Sequence, residues 1–201
     1  MEDYNGRLTG EPFLYVESKI IAEYMLEGYT AEELKIKNIE ENLIKHKTVG
    51  SIKRTNSPVF RRLGALDNEL LKEFVYADLE TSKYILLYSI MKTDRLVRDF
   101  IFEVYKDKLY MRRDFIDNYD IETWYEEKRA MSKVLNERSD STSYKMKQVL
   151  MKIVQDSGLV RKEKNIYKIE KPLLKEKLIA MLNERGDYEY VKAIGGLIWE
   201  K

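Results

Sequence analysis

Two stretches of this chain gather positive charge without its opposite. From Asn42 to Leu66 there is no Asp or Glu, while Lys45, Lys47, Lys53, Arg54, Arg61 and Arg62 supply six cations. The flanks are the reverse, with Glu27, Glu32, Glu33, Glu40 and Glu41 before it and Asp67, Glu69, Glu73, Asp78 and Glu80 after it. From Ser141 to Lys171, eight basic residues (Lys145, Lys147, Lys152, Arg161, Lys162, Lys164, Lys168 and Lys171) stand against three acidic ones (Asp156, Glu163 and Glu170). Such segregation concentrates positive potential locally although the net charge of the chain is only +1. The chemistry this allows is electrostatic capture of phosphates, aided by short hydroxyls near helix starts. The candidate nucleic-acid-binding set is therefore Lys45, Lys47, Ser51, Lys53, Arg54, Arg61, Arg62, Ser141, Thr142, Lys145, Lys147, Lys152, Arg161, Lys162 and Lys164. The same charges also serve, more simply, as solvated helix faces.

Catalytic chemistry has little to work with. His46 is the only histidine, it lies between Lys45 and Lys47, and no acidic residue follows nearby in sequence to orient it as a base. With no cysteine, disulfides and thiolate metal sites are excluded, and a zinc site would have to be nearly all carboxylate. No G-x-x-x-x-G-K-[ST] loop or G-x-G-x-x-G turn is present to hold a nucleotide. Glu126-Glu127-Lys128 has the acid-x-Lys spacing of some nucleases, yet it lies in a helical pattern without a strand-borne aspartate, so it reads as a solvated face. The expectation is a non-enzymatic protein with no cofactor and no metal.

The elements that would position these charges are mainly helical. The stretch Asp78 to Leu109 reads as the centre: Asp78 caps a helix that is apolar almost all round through Met91. After a restart at Thr93 or Asp94, Val97, Phe100, Ile101 and Val104 mark one face of a second helix, and the short break favours an antiparallel pair. Upstream, Pro12 suits a first helical position, with Phe13, Val16, Ile20 and Tyr24 on one face up to Gly28. Thr30 and Glu33 form a capping box for the next helix, so the corner is either a helix-turn-helix or an ordinary bundle turn. Ser51 suits a cap, Pro58 predicts a kink or restart, and Asp67 caps a short helix.

The segment YMRRDFIDNYD, after Leu109, has weak periodicity and reads as an elbow. Beyond it, Asp120 suits the cap of a helix carrying Ile121, Trp124, Tyr125, Met131, Val134 and Leu135, and Ser141 the cap of the next. In that helix Met146, Val149, Leu150, Ile153 and Val154 share a face. Gly158 ends it, and the apolar runs either side of RKEKN make a short hairpin. Helix, turn, helix and basic hairpin is the order of a winged helix, which serves DNA binding or protein docking. Pro172 is placed at the start of a last helix, and Trp199 either closes the core or makes a contact. The expected division is a helical bundle over 1–115 and a winged-helix-like part over 116–201, with one compact domain as the alternative.

Composition sets the class: hydrophobic residues at 44% and charged residues at 35% describe a folded helical protein. No apolar run approaches the roughly 20 residues of a membrane span. MEDYNGRLTGEP has no basic region followed by an apolar run, so it is not read as a secretory signal. Together with the absence of cysteine, this suits the cytoplasm.

The wording of the central stretch, D-x-E-T-x-K-x-I-L-L-Y-x-I-x-K-T-D-R-L from Asp78, resembles the BrxA family of the bacteriophage-exclusion (BREX) defence systems. Three further blocks agree in order: LTGEPF at Leu8 with Leu26 to Tyr29, ENLIKHKTVGSIK at Glu41 with Arg61, Arg62 and Leu63, and SDSTSYKMKQVLMKIVQDSG at Ser139. The resemblance implies a cytoplasmic component of a phage-defence system that includes a DNA methyltransferase and ATPases. It also implies a compact helical bundle similar to the NusB transcription-antitermination factor. The expected function is binding of double-stranded DNA by its phosphate backbone, with other BREX proteins as possible partners; the alternatives are an adaptor between defence proteins and an RNA-binding protein.

Overall fold

The computed structural model describes residues 4–195; Trp199, assigned a core or contact role above, lies outside the described residues. It is mainly α-helical with one small antiparallel sheet. The chain divides into two compact units, Phe13–Thr93 and a second built from the segment ending at Pro12 together with the chain from Asp94 onward. The divide thus falls between the two helices read as a pair, and not near residue 115. The reason the 110–120 elbow is no linker is local: its residues lead into a strand of the sheet.

The first unit holds α1 (Tyr15–Leu26), α2 (Ala31–Glu41), α3 (Val49–Leu63), α4 (Asn68–Tyr76) and α5 (Leu79–Thr93). As the all-round apolar pattern predicts, α5 is the core helix, with Tyr84 through Met91 buried without a break. Each such aliphatic side chain contributes about 1.5–3 kcal/mol on leaving water. Buried hydroxyls on α5 are satisfied by backbone: Ser82 Oγ donates to the Phe74 carbonyl at 2.7 Å and Ser89 Oγ to that of Leu86 at 2.8 Å. The expected caps at Thr30, Asp67, Asp78 and Asp94 all form.

Other starts differ. Leu14 takes a left-handed conformation (φ 55°), so α1 begins at Tyr15, three residues after Pro12. That turn rotates the helix, burying Ser18, Ile21 and Ala22 and leaving Val16 63% exposed. Pro58 neither breaks nor restarts α3, which runs continuously from Val49. Its missing N–H removes the one bond to the carbonyl of Arg54, and its buried ring packs with Thr55 and Val59 on the inward face. The cap of α3 is Thr48, and Ser51 is its reciprocal partner in the capping box.

In the second unit, α6 (Arg95–Phe100) passes through a π-helical turn, Ile101–Tyr105, into α7 (Lys106–Tyr110). β1 (Phe115–Asp117) follows, then α8 (Asn118–Met131), α9 (Lys133–Asn136) and α10 (Asp140–Asp156). β2 (Val160–Glu163) and β3 (Ile166–Ile169) form the expected hairpin, with Arg161 opposite Lys168. β1 adds to β3 with Ile116 opposite Tyr167, giving the order β1-β3-β2. Asp117, not Asp120, caps α8; Asp120 answers it from three residues on. Ser132 interrupts the expected helix and caps α9, leaving Met131 82% exposed. Ser139 caps α10 two residues before Ser141.

The last helices are α11 (Glu176–Glu184) and α12 (Tyr188–Ile194), so Pro172 precedes the helix by several residues instead of starting it. Gly195 ends α12 at φ 118°, where a Cβ would stand 2.9 Å from Pro172 Cγ. The N-terminal segment belongs to this unit: Tyr4 Oη donates to Asp99 Oδ2 at 2.9 Å, and the 3-10 turn Leu8–Gly10 packs on α10.

Candidate nucleic-acid interface

In the first unit, the loop from α2 to α3 is held by asparagine side chains. Asn42 accepts from the His46 N–H at 2.8 Å and donates to the His46 carbonyl at 2.7 Å, while Ile44 N–H donates to Asn38 Oδ1 at 3.2 Å. Asn38 in turn donates to Asn56 Oδ1 at 2.6 Å, joining α2 to α3 through a buried amide pair. On this frame Lys45, Lys47, Lys53 and Arg54 are exposed, and none makes an ion pair among the described residues. His46 is not left to its lysine neighbours, since Nε2 lies 3.2 Å from Glu17 Oε1 of α1. The sequence neighbours gave no hint of this carboxylate.

Arg61 and Arg62 part company. Arg61 is half-buried and lines an open groove between α2 and α3. Arg62 is 1% exposed and donates through Nη1 to the Phe13 carbonyl at 3.2 Å. It is a structural arginine and cannot reach a phosphate. Ser51 is likewise engaged, its hydroxyl donating to the Thr48 carbonyl at 2.7 Å.

In the second unit, the polar face of α10 meets the hairpin across a cleft of about 230 Å³ lined by Glu122, Tyr144, Lys147, Gln148, Lys162 and Tyr167, among others. Burial pushes the Tyr167 phenol up, with nearby Tyr144 adding to it. Several of the expected cations are already neutralised. Lys147 pairs with Glu122 of α8, Lys152 with Asp156 at 2.8 Å, and Arg161 with Glu163 at 2.9 Å and Glu170 at 3.2 Å. Lys145, Lys164 and Lys168 are exposed and make no ion pair among the described residues; Lys162 lies 5.8 Å from the centroid of the Tyr167 ring. Ser141 and Thr142 cluster with the Ser139 hydroxyl at 3.0 and 2.9 Å, and Asp140 at the helix start takes Arg129 at 3.1 Å. A carboxylate thus occupies the helix start where a phosphate was expected.

The candidate set leaves out Tyr144, Gln148, Tyr167 and Lys168, although Lys168 is among the counted cations. The signal was present for the first two, which stand one helical turn apart on the polar face of α10. Glu126, the residue weighed for nuclease chemistry, is exposed and 3.7 Å from Arg129. Its neighbour Lys128 contacts Glu103 at 2.5 Å, the same carboxylate that accepts from Trp124 Nε1 at 2.7 Å.

Against known proteins, the family model of BrxA matches residues 2–186. The chain belongs to the BrxA family. Relatives named BREX protein BrxA agree along nearly its full length. That of Bacillus cereus (strain H3081.97) is 34% identical over 193 residues, 96% of each chain. That of Paramagnetospirillum magneticum (strain ATCC 700264 / AMB-1) is 22% identical, covering 95% of this chain and 96% of the relative. The BrxA fold seen here also matches the crystal structure of an uncharacterized protein from Magnetospirillum magneticum, with a TM-score of 0.83 and 21% identity over 98% of this chain and all of that one. Among the described residues of this BrxA chain, no helix is long and apolar enough to cross a membrane.

Proposed function

We propose that this BrxA-family protein is a component of a BREX phage-defence system that binds double-stranded DNA without transforming it. The observation that carries the reading is the α8–α10–hairpin arrangement. A strand, three helices, the middle one only four residues long, and a basic two-stranded wing follow in winged-helix order. Tyr144 and Gln148 of α10 line one cleft with Lys162 and Tyr167 of the hairpin, and Lys145, Lys164 and Lys168 are exposed on the same two elements. The B-form major groove admits a helix, while the wing cations rest on the backbone; A-form RNA has a major groove too narrow for this, which favours DNA. Lys45, Lys47 and Arg54 supply a further phosphate-binding patch on the first unit. Because lysines dominate and no Arg or Asn is set to read a base edge, binding is largely independent of sequence.

The test is fluorescence anisotropy with labelled duplex DNA, single-stranded DNA and RNA of one sequence, at several salt concentrations. Duplex binding that weakens steeply with salt, and is lost in a Lys145→Glu, Lys164→Glu, Lys168→Glu variant, is the expected result. Equal binding by that variant, or no duplex binding at moderate salt, would refute it.

A further inference from the structure

The groove between α2 and α3 has a different chemistry from the basic surface around it. Its volume is about 570 Å³. Ala31, Ile39 and Phe60 make an apolar floor, and Lys35 from α2 with Lys53 and Arg61 from α3 bring cations to both sides; no carboxylate lines it. The lining positions run 31, 35, 39 on α2 and 53, 57, 61 on α3, one residue per turn over two turns, or about 12 Å. Two parallel stripes of that length form a seat for a third helix.

We propose that this groove docks an acidic amphipathic helix of a protein partner, its apolar residues at i, i+3, i+4 and i+7 on the floor and its Asp or Glu residues against Lys35, Lys53 and Arg61. Charge complementarity chooses the occupant. Cations on both sides of an apolar trough whose lining residues include no carboxylate repel a basic helix, draw an acidic one and leave a neutral one indifferent. A nucleic-acid strand fits less well. Stacking needs an open aromatic face, and the one ring here, Phe60, is 8% exposed with Lys35 Nζ lying 5.4 Å from its centroid. The weak exposed contact of Lys35 with Glu32, 3.6 Å away, is readily exchanged for a partner carboxylate. The inference uses Lys35, Lys53 and Arg61, none of which is assigned to DNA in the reading above, and that reading is carried by α10 and the hairpin with Lys45, Lys47 and Arg54 as a secondary patch.

The experiment uses the full chain and two labelled synthetic helices of roughly 20 residues, identical in their leucine stripe but flanked by Glu in one and Lys in the other. The expected result is binding of the Glu helix at about 10 µM or tighter, at least about tenfold tighter than the Lys helix. Lys35→Glu with Lys53→Glu should weaken the Glu helix about tenfold and Ile39→Asp should abolish binding, with circular dichroism unchanged for the lysine variant. The proposal is overturned if neither helix binds, if both bind alike, or if the Lys35→Glu, Lys53→Glu variant binds the Glu helix as well as the parent. It is overturned equally if a single-stranded oligonucleotide displaces the Glu helix and loses affinity with the same substitutions. The Lys145→Glu, Lys164→Glu, Lys168→Glu variant should keep the Glu helix, so failure of DNA binding leaves this result readable.

Discussion

The guanidinium of Arg62 donates to the backbone carbonyl of Phe13 at 3.2 Å across 49 residues of chain, tying α3 to the segment that enters α1. Removing a buried charged donor strands the carbonyl it served. Arg62→Ala is expected to cost about 2–4 kcal/mol in urea unfolding, while duplex DNA affinity of the folded fraction stays at the parent value. A lost affinity with unchanged stability would return Arg62 to the binding surface.

Glu122 pairs with Lys147 and neutralises its charge. Glu122→Gln should release it, raising duplex affinity and steepening the plot of log affinity against log salt by about 0.9. Asp156→Asn should act in the same direction through Lys152. Unchanged slopes in both variants would mean that this face of α10 does not meet the backbone.

Much of the fold can be read from the sequence because caps and hydrophobic runs are local. Thr30 with Glu33, Asp67 and Asp94 each declare a helix start within three residues, and α5 declares its burial by having no polar face. Charge segregation was equally visible. What could not be read depends on residues far apart in sequence: Lys147 meets Glu122 from 25 residues away, and His46 meets Glu17 from 29. Arg62 is an intermediate case. It falls on the stripe of Thr55 and Val59, both buried, so helical spacing already placed it inwards, against the habit of reading arginine as surface. Pro58 misled as a restart signal because a proline removes one local hydrogen bond, which the rest of a fifteen-residue helix outlasts.

The starts of α10 make a sharp comparison. Thr142 N–H donates to Ser139 Oγ at 3.3 Å, whereas Ser141 lies inside the first turn. Ser139→Ala should lower stability by about 1 kcal/mol and Ser141→Ala by a few tenths, measured side by side in urea. The opposite order would move the helix start to Ser141.

Tyr84 carries a pH dependence. Burial first, then Glu80 and Asp78, push its phenol from 10.0 to about 12. Below pH 10 both folded and unfolded chains keep the proton, and the contribution is fully present. As pH rises from 10 towards 12 the unfolded chain loses its proton first, so stability falls. Tyr84→Phe should flatten this part of the stability curve relative to the parent, read by urea midpoints from pH 9 upward; parallel curves would count against it.

The residues that end at Pro12 complete a unit whose other members begin at Asp94. During synthesis, Phe13–Thr93 leaves the ribosome as one unbroken block and has all its own partners as soon as α5 is made. Tyr4 must wait for Asp99, and the turn at Leu8–Gly10 must wait for α10, more than two thirds of the way along the chain. The N-terminal segment is therefore made first and seated late, after the block that follows it. A tag or nascent-chain factor that held the segment ending at Pro12 would stall the unit that resumes at Asp94 while leaving the Phe13–Thr93 block folded.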